Sequence, residues 1–199
     1  MTIKDFAAGL IRIVCGVRLL PVEALPTTPA IFFANHSSHL DFTSIWAALP
    51  SSVRVRVRPV AGRDYWEKTP RRRRIAKDFF NAVLIERQRV TVASNPLEPM
   101  LAALDAGDSL IVFPEGTRSL DGQIHDFKSG LYHLARARPT TVLVPIYLQD
   151  LNRILPKGDF LPIPLLGSLS LGAPIKLETD EPKNAFLQRA RQAVLQLAK

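Results

Sequence analysis

The sequence predicts an α/β fold: a single layered domain in which a central, mostly parallel or mixed sheet is flanked by helices, with an amphipathic helix at the N-terminus. Apolar runs of strand length alternate along the chain with segments whose apolar residues recur every three or four positions. The chain has 199 residues, 47% of them hydrophobic, which is enough for one domain with its own core. It contains no uncharged apolar stretch of about eighteen residues, so we expect no membrane-spanning helix.

The first element is the amphipathic helix. Its apolar residues stand at positions 3, 6, 10, 14 and 17, while Lys4, Arg12 and Arg18 lie elsewhere around the helix. Such a helix lies in a bilayer interface or docks on the core of its own domain, and the pattern leaves both open. We therefore divide the chain into this segment, residues 1–25, as a possible membrane-interface element, and a domain of residues 26–199.

The remaining elements follow in order along the chain. We predict strands where apolar residues are continuous or alternate, at residues 30–34, 53–60, 82–86, 109–113 and 141–148. We predict helices where apolar residues have helical spacing, at residues 42–49, 96–106, 129–138 and 182–198. The alternation within residues 53–60 would place Arg54, Arg56 and Arg58 in a row on one face of a strand. Residues 152–174, rich in Pro, Gly and Leu, predict a loop with one or two strands.

The charge of the chain is strongly basic. A formal net charge of +8 favours acidic partners, such as phosphorylated substrates, anionic lipid, an acidic carrier protein or nucleic acid. The four arginines at residues 71–74 form either a solvated face or a contact for anionic lipid or an acidic carrier protein. Cys15 is the only cysteine, so neither an internal disulfide nor a cysteine-rich metal site can form.

The first candidate site is a histidine and an aspartate five positions apart. His36 follows the strand predicted at residues 30–34 and therefore reaches the sheet edge where α/β folds place their ligands. Asp41 can return through a turn to bind one imidazole nitrogen, which leaves the other nitrogen as a general base. Because no Gly-x-Ser-x-Gly elbow signals a serine nucleophile, the histidine would activate a substrate hydroxyl directly. A capping Asp41 beside a structural His36 is the alternative.

The second candidate site is the glycine turn at residues 113–119. Pro114 cannot continue a central strand, so the residues after it leave the sheet. Gly116 permits a close approach to the backbone, and the hydroxyls of Thr117 and Ser119 could hold phosphate oxygens together with exposed N–H groups. Arg118 offers a planar fork that suits a phosphate. The alternative is an exposed turn with an ion pair between Arg118 and Glu115.

These two stretches, in this order, resemble the glycerolipid acyltransferase family, which is typified by the 1-acylglycerol-3-phosphate acyltransferases. The family's Phe-Pro-Glu-Gly-Thr-Arg-Ser block is present without a mismatch. The blocks that match the family in order lie at residues 36–41, 84–87, 113–119, 127–130 and 144–146. The resemblance covers residues 30–150 and identifies residues 26–199 as an acyltransferase domain.

The resemblance implies a role for each matching residue. His36, held by Asp41, would be the general base that takes the proton of the acceptor hydroxyl as it attacks an acyl thioester, with no covalent acyl-enzyme. Arg87 and Arg118 would bind the phosphate of the acceptor with the backbone of Gly116 and Thr117. Glu115 would shape that loop or the acceptor contacts, and the strand at residues 144–146 would form part of a channel wall.

The resemblance also implies the reaction and its setting. The protein would be an O-acyltransferase that moves a fatty acyl group from acyl-CoA or acyl carrier protein to a lysophospholipid, 1-acylglycerol-3-phosphate foremost, in phospholipid biosynthesis. No metal or organic cofactor is expected, because the thioester already activates the acyl group. The protein would be peripheral or monotopic on the cytoplasmic face of a membrane. Residues 61–63 lack the lysine that relatives often place after the second strand, which leaves the acceptor open.

Three alternatives belong to other classes. A metal-dependent hydrolase could use His36, His39 and Asp41 as ligands, although neither His125 nor His133 lies in a recognisable ligand pattern. A nucleic-acid-binding module would explain the charge but lacks an aromatic stacking signature, so no nucleic-acid partner is expected. The third alternative is a non-enzymatic relative, which would bind anionic lipid but would not transfer an acyl group.

Overall fold

A six-stranded mixed sheet runs through the computed structural model, which describes residues 2–18, 20–21, 25–38, 40–87, 91, 94–119, 121–151 and 167–198. Its strands are β1 (Ala30–Ala34), β2 (Val57–Gly62), β3 (Val83–Ile85), β4 (Ser109–Val112), β5 (Val142–Gln149) and β6 (Ser168–Leu171). They are arranged in the order β3-β2-β4-β1-β5-β6. All neighbours are parallel except β5 and β6, which are antiparallel. The predicted α/β class with a mostly parallel or mixed sheet is confirmed.

Helices cover both faces of this sheet. They are α1 (Ile3–Cys15), α2 (Asp41–Ala48), α3 (Ser51–Arg54), α4 (Arg63–Trp66), α5 (Pro70–Arg74), α6 (Leu97–Asp105), α7 (Gly130–Ala137) and α8 (Lys183–Leu195). A π-helical turn, Ile75–Phe79, continues α5. The five helices predicted from apolar periodicity, α1, α2, α6, α7 and α8, are confirmed within a few residues at each end.

The core lies on both sides of β1, because successive side chains of a strand point to opposite faces. Phe32 and Ala34 belong to the cluster that packs with α1 and α2, whereas Ile31 and Phe33 belong to the cluster that packs with α6, α7 and α8. All five residues of β1 are buried, which explains why this strand reads as a continuous apolar run. Each buried phenylalanine or isoleucine contributes about 1.5–3 kcal/mol relative to an exposed one.

The strand predicted at residues 53–60 begins later than expected. Residues 51–54 form α3, which starts after Pro50, and the strand itself starts at Val57. Arg54 is buried, donates to the Leu49 carbonyl oxygen at 3.0 Å and stacks over Trp46 at 4.8 Å. The predicted row of three arginines on one strand face is therefore wrong, because these contacts hold Arg54 inside the protein at the end of a helix.

Helix α1 has one buried side and one exposed apolar side. The side chain of Thr2 accepts a hydrogen bond from the N–H of Asp5 in a capping box, and Gly16 ends the helix in the left-handed conformation, at φ +67°. Ala8 and Cys15 are buried against the domain. The large apolar side chains that stay exposed on this helix are Ile3 (78%), Phe6 (63%), Leu10 (54%) and Ile13 (81%). The amphipathic helix is confirmed. One side of it packs on the domain, and its other side exposes apolar residues that could contact a bilayer.

The carboxyl ends of four parallel strands meet at one edge of the sheet. The chain leaves β1 into residues 35–38, β2 into α4, β3 into residues 86–87 and β4 into residues 113–119. At the other side of the sheet, β6 supplies one strand of the region predicted at 152–174, while residues 152–166 lie outside the described residues. No helix in the described part of the chain has the length and apolar character needed to cross a bilayer.

Candidate active site

A histidine–aspartate pair stands at the carboxyl end of β1. His36 Nδ1 lies 2.7 Å from Asp41 Oδ2, and Asp41 is fully buried as the first residue of α2. The same carboxylate oxygen accepts hydrogen bonds from the N–H groups of Ser37, at 2.6 Å, and Ser38, at 2.8 Å. The imidazole stacks on the ring of Phe113 with the centroids 4.3 Å apart. Asp41 thereby fixes Nδ1 as the hydrogen-bonded nitrogen, and Nε2 has no hydrogen-bond partner among the described residues.

Glu115 fastens the glycine turn to the strand that carries His36. Its Oε1 accepts a hydrogen bond from the backbone N–H of His36 at 2.8 Å, and its Oε2 accepts one from the N–H of His125 at 3.1 Å. The N–H of Ser119 donates to the carbonyl oxygen of His36 at 2.7 Å. Burial raises the pKa of Glu115 above its ordinary value, although both N–H donors act in the opposite direction. This carboxylate ties two segments together and does not line the cavity described below.

The turn itself requires glycine at position 116. Gly116 has φ +73°, the left-handed region that side chains rarely adopt. A Cβ atom there would lie 2.8 Å from Lys128 Nζ and 3.0 Å from Lys128 Cδ. The backbone N–H of Lys128 donates to the Pro114 carbonyl oxygen at 2.8 Å, so the lysine is fixed beside the turn. Any side chain at position 116 would strain the backbone and displace this lysine.

Arg87 reaches the same turn from the end of β3. Its guanidinium makes a bidentate pair with Asp64, with Nη2 2.8 Å from each carboxylate oxygen, and donates from Nη1 to the Gly116 carbonyl oxygen at 3.3 Å. The pair crosses directly over Gly62, where a Cβ atom would lie 2.1 Å from Arg87 Nε. Gly62 is therefore needed for this close approach.

These residues surround one cavity of about 780 Å³. Five of the residues predicted from the sequence line it, namely His36, Arg87, Gly116, Thr117 and Arg118. Asp41 and Glu115, the other two, lie behind the wall and hold it through hydrogen bonds. The large apolar side chains in the wall are Phe42, Tyr65, Trp66, Phe80, Ile85, Leu97, Met100, Phe113, Leu131 and Leu134. The site thus joins an imidazole, several cations and an extensive apolar surface, which suits a ligand with a phosphate and a hydrocarbon chain.

The structure also shows what the sequence interpretation missed. Asp64 and Lys128 line the cavity, and Phe113 stacks on the imidazole, although none of the three was assigned a role. Val144 and Ile146 were expected in a channel wall. Both are fully buried in β5 and are not among the described residues around the cavity. Strand β5 pairs with β1 on the side away from β4, so these two residues do not line this cavity, and their place in an acyl or donor channel stays a prediction.

Among the described residues, no three His, Cys, Asp or Glu side chains form a group that could hold a metal ion. His39, which the hydrolase alternative required, lies outside the described residues. His125 is engaged locally, with Nε2 3.1 Å from Asp121 Oδ1.

Comparisons of the sequence point to one family. A model of the family described as Acyltransferase matches residues 17–149. The chloroplastic 1-acyl-sn-glycerol-3-phosphate acyltransferase of Arabidopsis thaliana is 31% identical over 145 residues, which are 69% of this chain and 37% of the plant protein. The alpha form of the same enzyme from Mus musculus is 30% identical over 136 residues, 67% of this chain and 45% of the mouse protein. The chain therefore spans less than half the length of these two curated relatives.

A comparison of the fold agrees with this. The crystal structure of the 1-acyl-sn-glycerophosphate acyltransferase PlsC of Thermotoga maritima superposes with a TM-score of 0.75. The match covers 98% of this chain and 78% of the other, at 21% sequence identity. At that identity the superposition establishes the common fold.

Proposed function

The chain belongs to the acyltransferase family, and on that premise we propose that it transfers a fatty acyl group from an acyl thioester to the hydroxyl of a lysophospholipid. One observation carries the proposal: an imidazole oriented by a buried carboxylate lines the same cavity as Arg118 and the glycine turn. A base for the hydroxyl and cations for a phosphate would then line the same cavity.

In the proposed reaction His36 is the general base. Its Nε2 takes the proton of the acceptor hydroxyl while the oxygen attacks the thioester carbonyl, and the Asp41 carboxylate stabilises the imidazolium that forms. The tetrahedral intermediate collapses with cleavage of the carbon–sulfur bond. The imidazolium then returns the proton to the departing thiolate, so that an ester and a free thiol leave the site. No covalent acyl-enzyme is required, and no cofactor beyond the thioester enters the scheme.

The proposed acceptor is 1-acylglycerol-3-phosphate, and the pathway is phospholipid biosynthesis. Arg118, Arg87 and the backbone of Gly116 and Thr117 would bind the phosphate, since a guanidinium fork and backbone N–H groups suit its oxygens. The apolar part of the wall would take the hydrocarbon chain of the acceptor or the donor. Acyl-CoA and acyl carrier protein remain the two proposed donors.

The proposed setting is the surface of a membrane, with the chain bound peripherally on the cytoplasmic face. Support for membrane contact comes from α1, where Ile3, Phe6, Leu10 and Ile13 expose one apolar side. The cytoplasmic face stays a prediction from the resemblance.

Identification of the product tests the function. The purified protein is offered a panel of lysophospholipids with acyl-CoA and with acyl carrier protein, and the products are identified by mass. We expect phosphatidic acid from 1-acylglycerol-3-phosphate with at least one donor, and its loss in His36→Ala. A protein that binds vesicles of anionic lipid equally well with and without His36, and forms no acylated product with either donor, would be the non-enzymatic relative instead.

A further inference from the structure

We propose that Lys128 joins Arg118 and Arg87 in the acceptor-phosphate site and adds a positive charge that no described carboxylate pairs with directly there. The inference deepens the proposed function and rests on it for the identity of the acceptor. Lys128 lies in the loop before α7 and lines the cavity together with His36, Thr117 and Arg118.

The position of Lys128 is set by the glycine turn. Its N–H donates to the Pro114 carbonyl oxygen at 2.8 Å, which fixes the backbone. Its side chain then runs across Gly116: a Cβ atom built on that glycine would lie 3.1 Å from Lys128 Cε and 2.8 Å from Nζ. The ammonium group is thereby held against the turn whose N–H groups and Arg118 would receive the phosphate.

The net charge of the cavity lining depends on Lys128. Among the described lining residues, three side chains are permanent cations, Arg87, Arg118 and Lys128, and two are carboxylates, Asp64 and Glu86. The carboxylate of Asp64 is bound bidentately to Arg87, so the charge of that guanidinium is already balanced. Without Lys128 the lining would hold two cations against two carboxylates, with no net attraction for an anion.

A phosphate monoester carries a charge of about −1.5 to −2 at neutral pH. With Lys128 the described lining carries one net positive charge against this anion, and without Lys128 it carries none. Another cation at this edge, Arg63, donates from Nε to the Leu84 carbonyl oxygen at 3.3 Å and is not among the described lining residues. Lysine binds phosphate as a point charge, so its charge, not its hydrogen-bond geometry, is what the site requires.

The test removes the charge of Lys128 and keeps a side chain of similar length and apolar character. Lys128→Met is compared with Lys128→Arg, which restores the charge, and with Lys176→Met, which removes an exposed lysine outside the cavity. For each protein, KM and kcat are measured with 1-acylglycerol-3-phosphate and with monoacylglycerol, which lacks the phosphate. The affinity for sn-glycerol 3-phosphate is measured by calorimetry, because that binding does not depend on turnover.

We expect Lys128→Met to raise KM for the phosphorylated acceptor and to weaken binding of glycerol phosphate by about tenfold or more. With monoacylglycerol, KM should stay as in the wild type. Lys128→Arg should recover most of the loss, and Lys176→Met should behave as the wild type. A purely structural lysine would instead lower the reaction of both acceptors together, and that result overturns the proposal, as does an unchanged KM in Lys128→Met.

The two proposals fail in distinguishable ways. If the wild type binds glycerol phosphate through Lys128 but transfers no acyl group, the proposed function fails and the phosphate site stands. If the wild type forms phosphatidic acid and Lys128→Met is unchanged, the site assignment fails and the function stands. A wild type that neither binds glycerol phosphate nor turns over would overturn both.

Discussion

At the scale of single residues, His36 is held by three contacts, two to its ring and one to its backbone. Asp41 binds Nδ1, Phe113 stacks on one side of the ring, and Glu115 accepts the hydrogen bond of the backbone N–H. These three partners come from α2, the end of β4 and the glycine turn, so the orientation of the ring depends on the assembled fold. A general base needs such a fixed geometry, because proton transfer requires the base to lie within hydrogen-bond reach of the hydroxyl.

Glu115 gives a prediction for stability as a function of pH. Burial raises its pKa above the ordinary 4.5, so the native state holds this proton more tightly than the unfolded chain. The resulting stabilisation is present below the unfolded value and is lost as pH rises through the raised pKa. We expect the free energy of unfolding of the wild type, minus that of Glu115→Gln, to fall as the pH rises from the unfolded pKa to the native pKa. The fall should be about 1.4 kcal/mol for each pH unit by which the two pKa values differ, and denaturant titrations measure it.

The two hydrogen bonds that Glu115 accepts act against burial. If the difference between the two proteins grows with pH instead, these hydrogen bonds outweigh the cost of burying the charge, and the stated direction is wrong.

At the scale of elements, α1 is joined to the domain by polar contacts as well as by its buried side. Asp5 forms a salt bridge with Arg54 of α3, and Arg12 donates to the Ala47 carbonyl oxygen of α2 at 3.0 Å. Lys4 lies over the ring of Phe79, 5.8 Å from its centroid. Because α2 begins with Asp41, the helix with the exposed apolar side rests on the helix that orients the proposed base.

Arg54 and Arg56 form a matched pair for testing this attachment. Arg54 is 6% exposed, and it binds Asp5 and the Leu49 carbonyl oxygen. Arg56 has a side chain that is 64% exposed and lies 3.5 Å from Asp108. We expect Arg54→Met to lower the free energy of unfolding by about 1.5–3 kcal/mol, and Arg56→Met by at most about 1 kcal/mol, in chemical denaturation. Equal losses would show that Arg54 is not an anchor.

The exposed side of α1 predicts the binding of lipid vesicles. Phe6→Gln removes an aromatic side chain that is 63% exposed, so the fold should keep its stability while partitioning to anionic vesicles falls by about tenfold or more. Ile75→Gln, an exposed residue on the π-helical turn, is the control and should have a smaller effect. Vesicle sedimentation measures both. If Phe6→Gln binds vesicles as well as the wild type does, the exposed side of α1 does not contact the membrane.

At the scale of the whole molecule, much of the architecture could be predicted because local signals agree with it. Apolar runs marked the buried strands, and the two motifs follow β1 and β4, which are adjacent and parallel, so their ends must meet. Other features depend on distant partners. Asp64 and Arg87 are 23 residues apart and meet across Gly62. The alternating pattern around Arg54 gives no sign of its partly buried salt bridge with Asp5. Local sequence patterns cannot show such contacts, because the two partners are far apart in the sequence.

The central claim is that His36 and Arg118 act on one bound acceptor with separate roles, and one measurement tests it most directly. The ratio kcat/KM is determined for 1-acylglycerol-3-phosphate and for monoacylglycerol in the wild type, His36→Ala and Arg118→Ala. We predict that His36→Ala lowers both values by about 10²–10⁴-fold, because the base serves either hydroxyl. Arg118→Ala should lower only the value for the phosphorylated acceptor, by about 10–150-fold. An equal loss for both acceptors in Arg118→Ala, or full turnover in His36→Ala, would contradict the account.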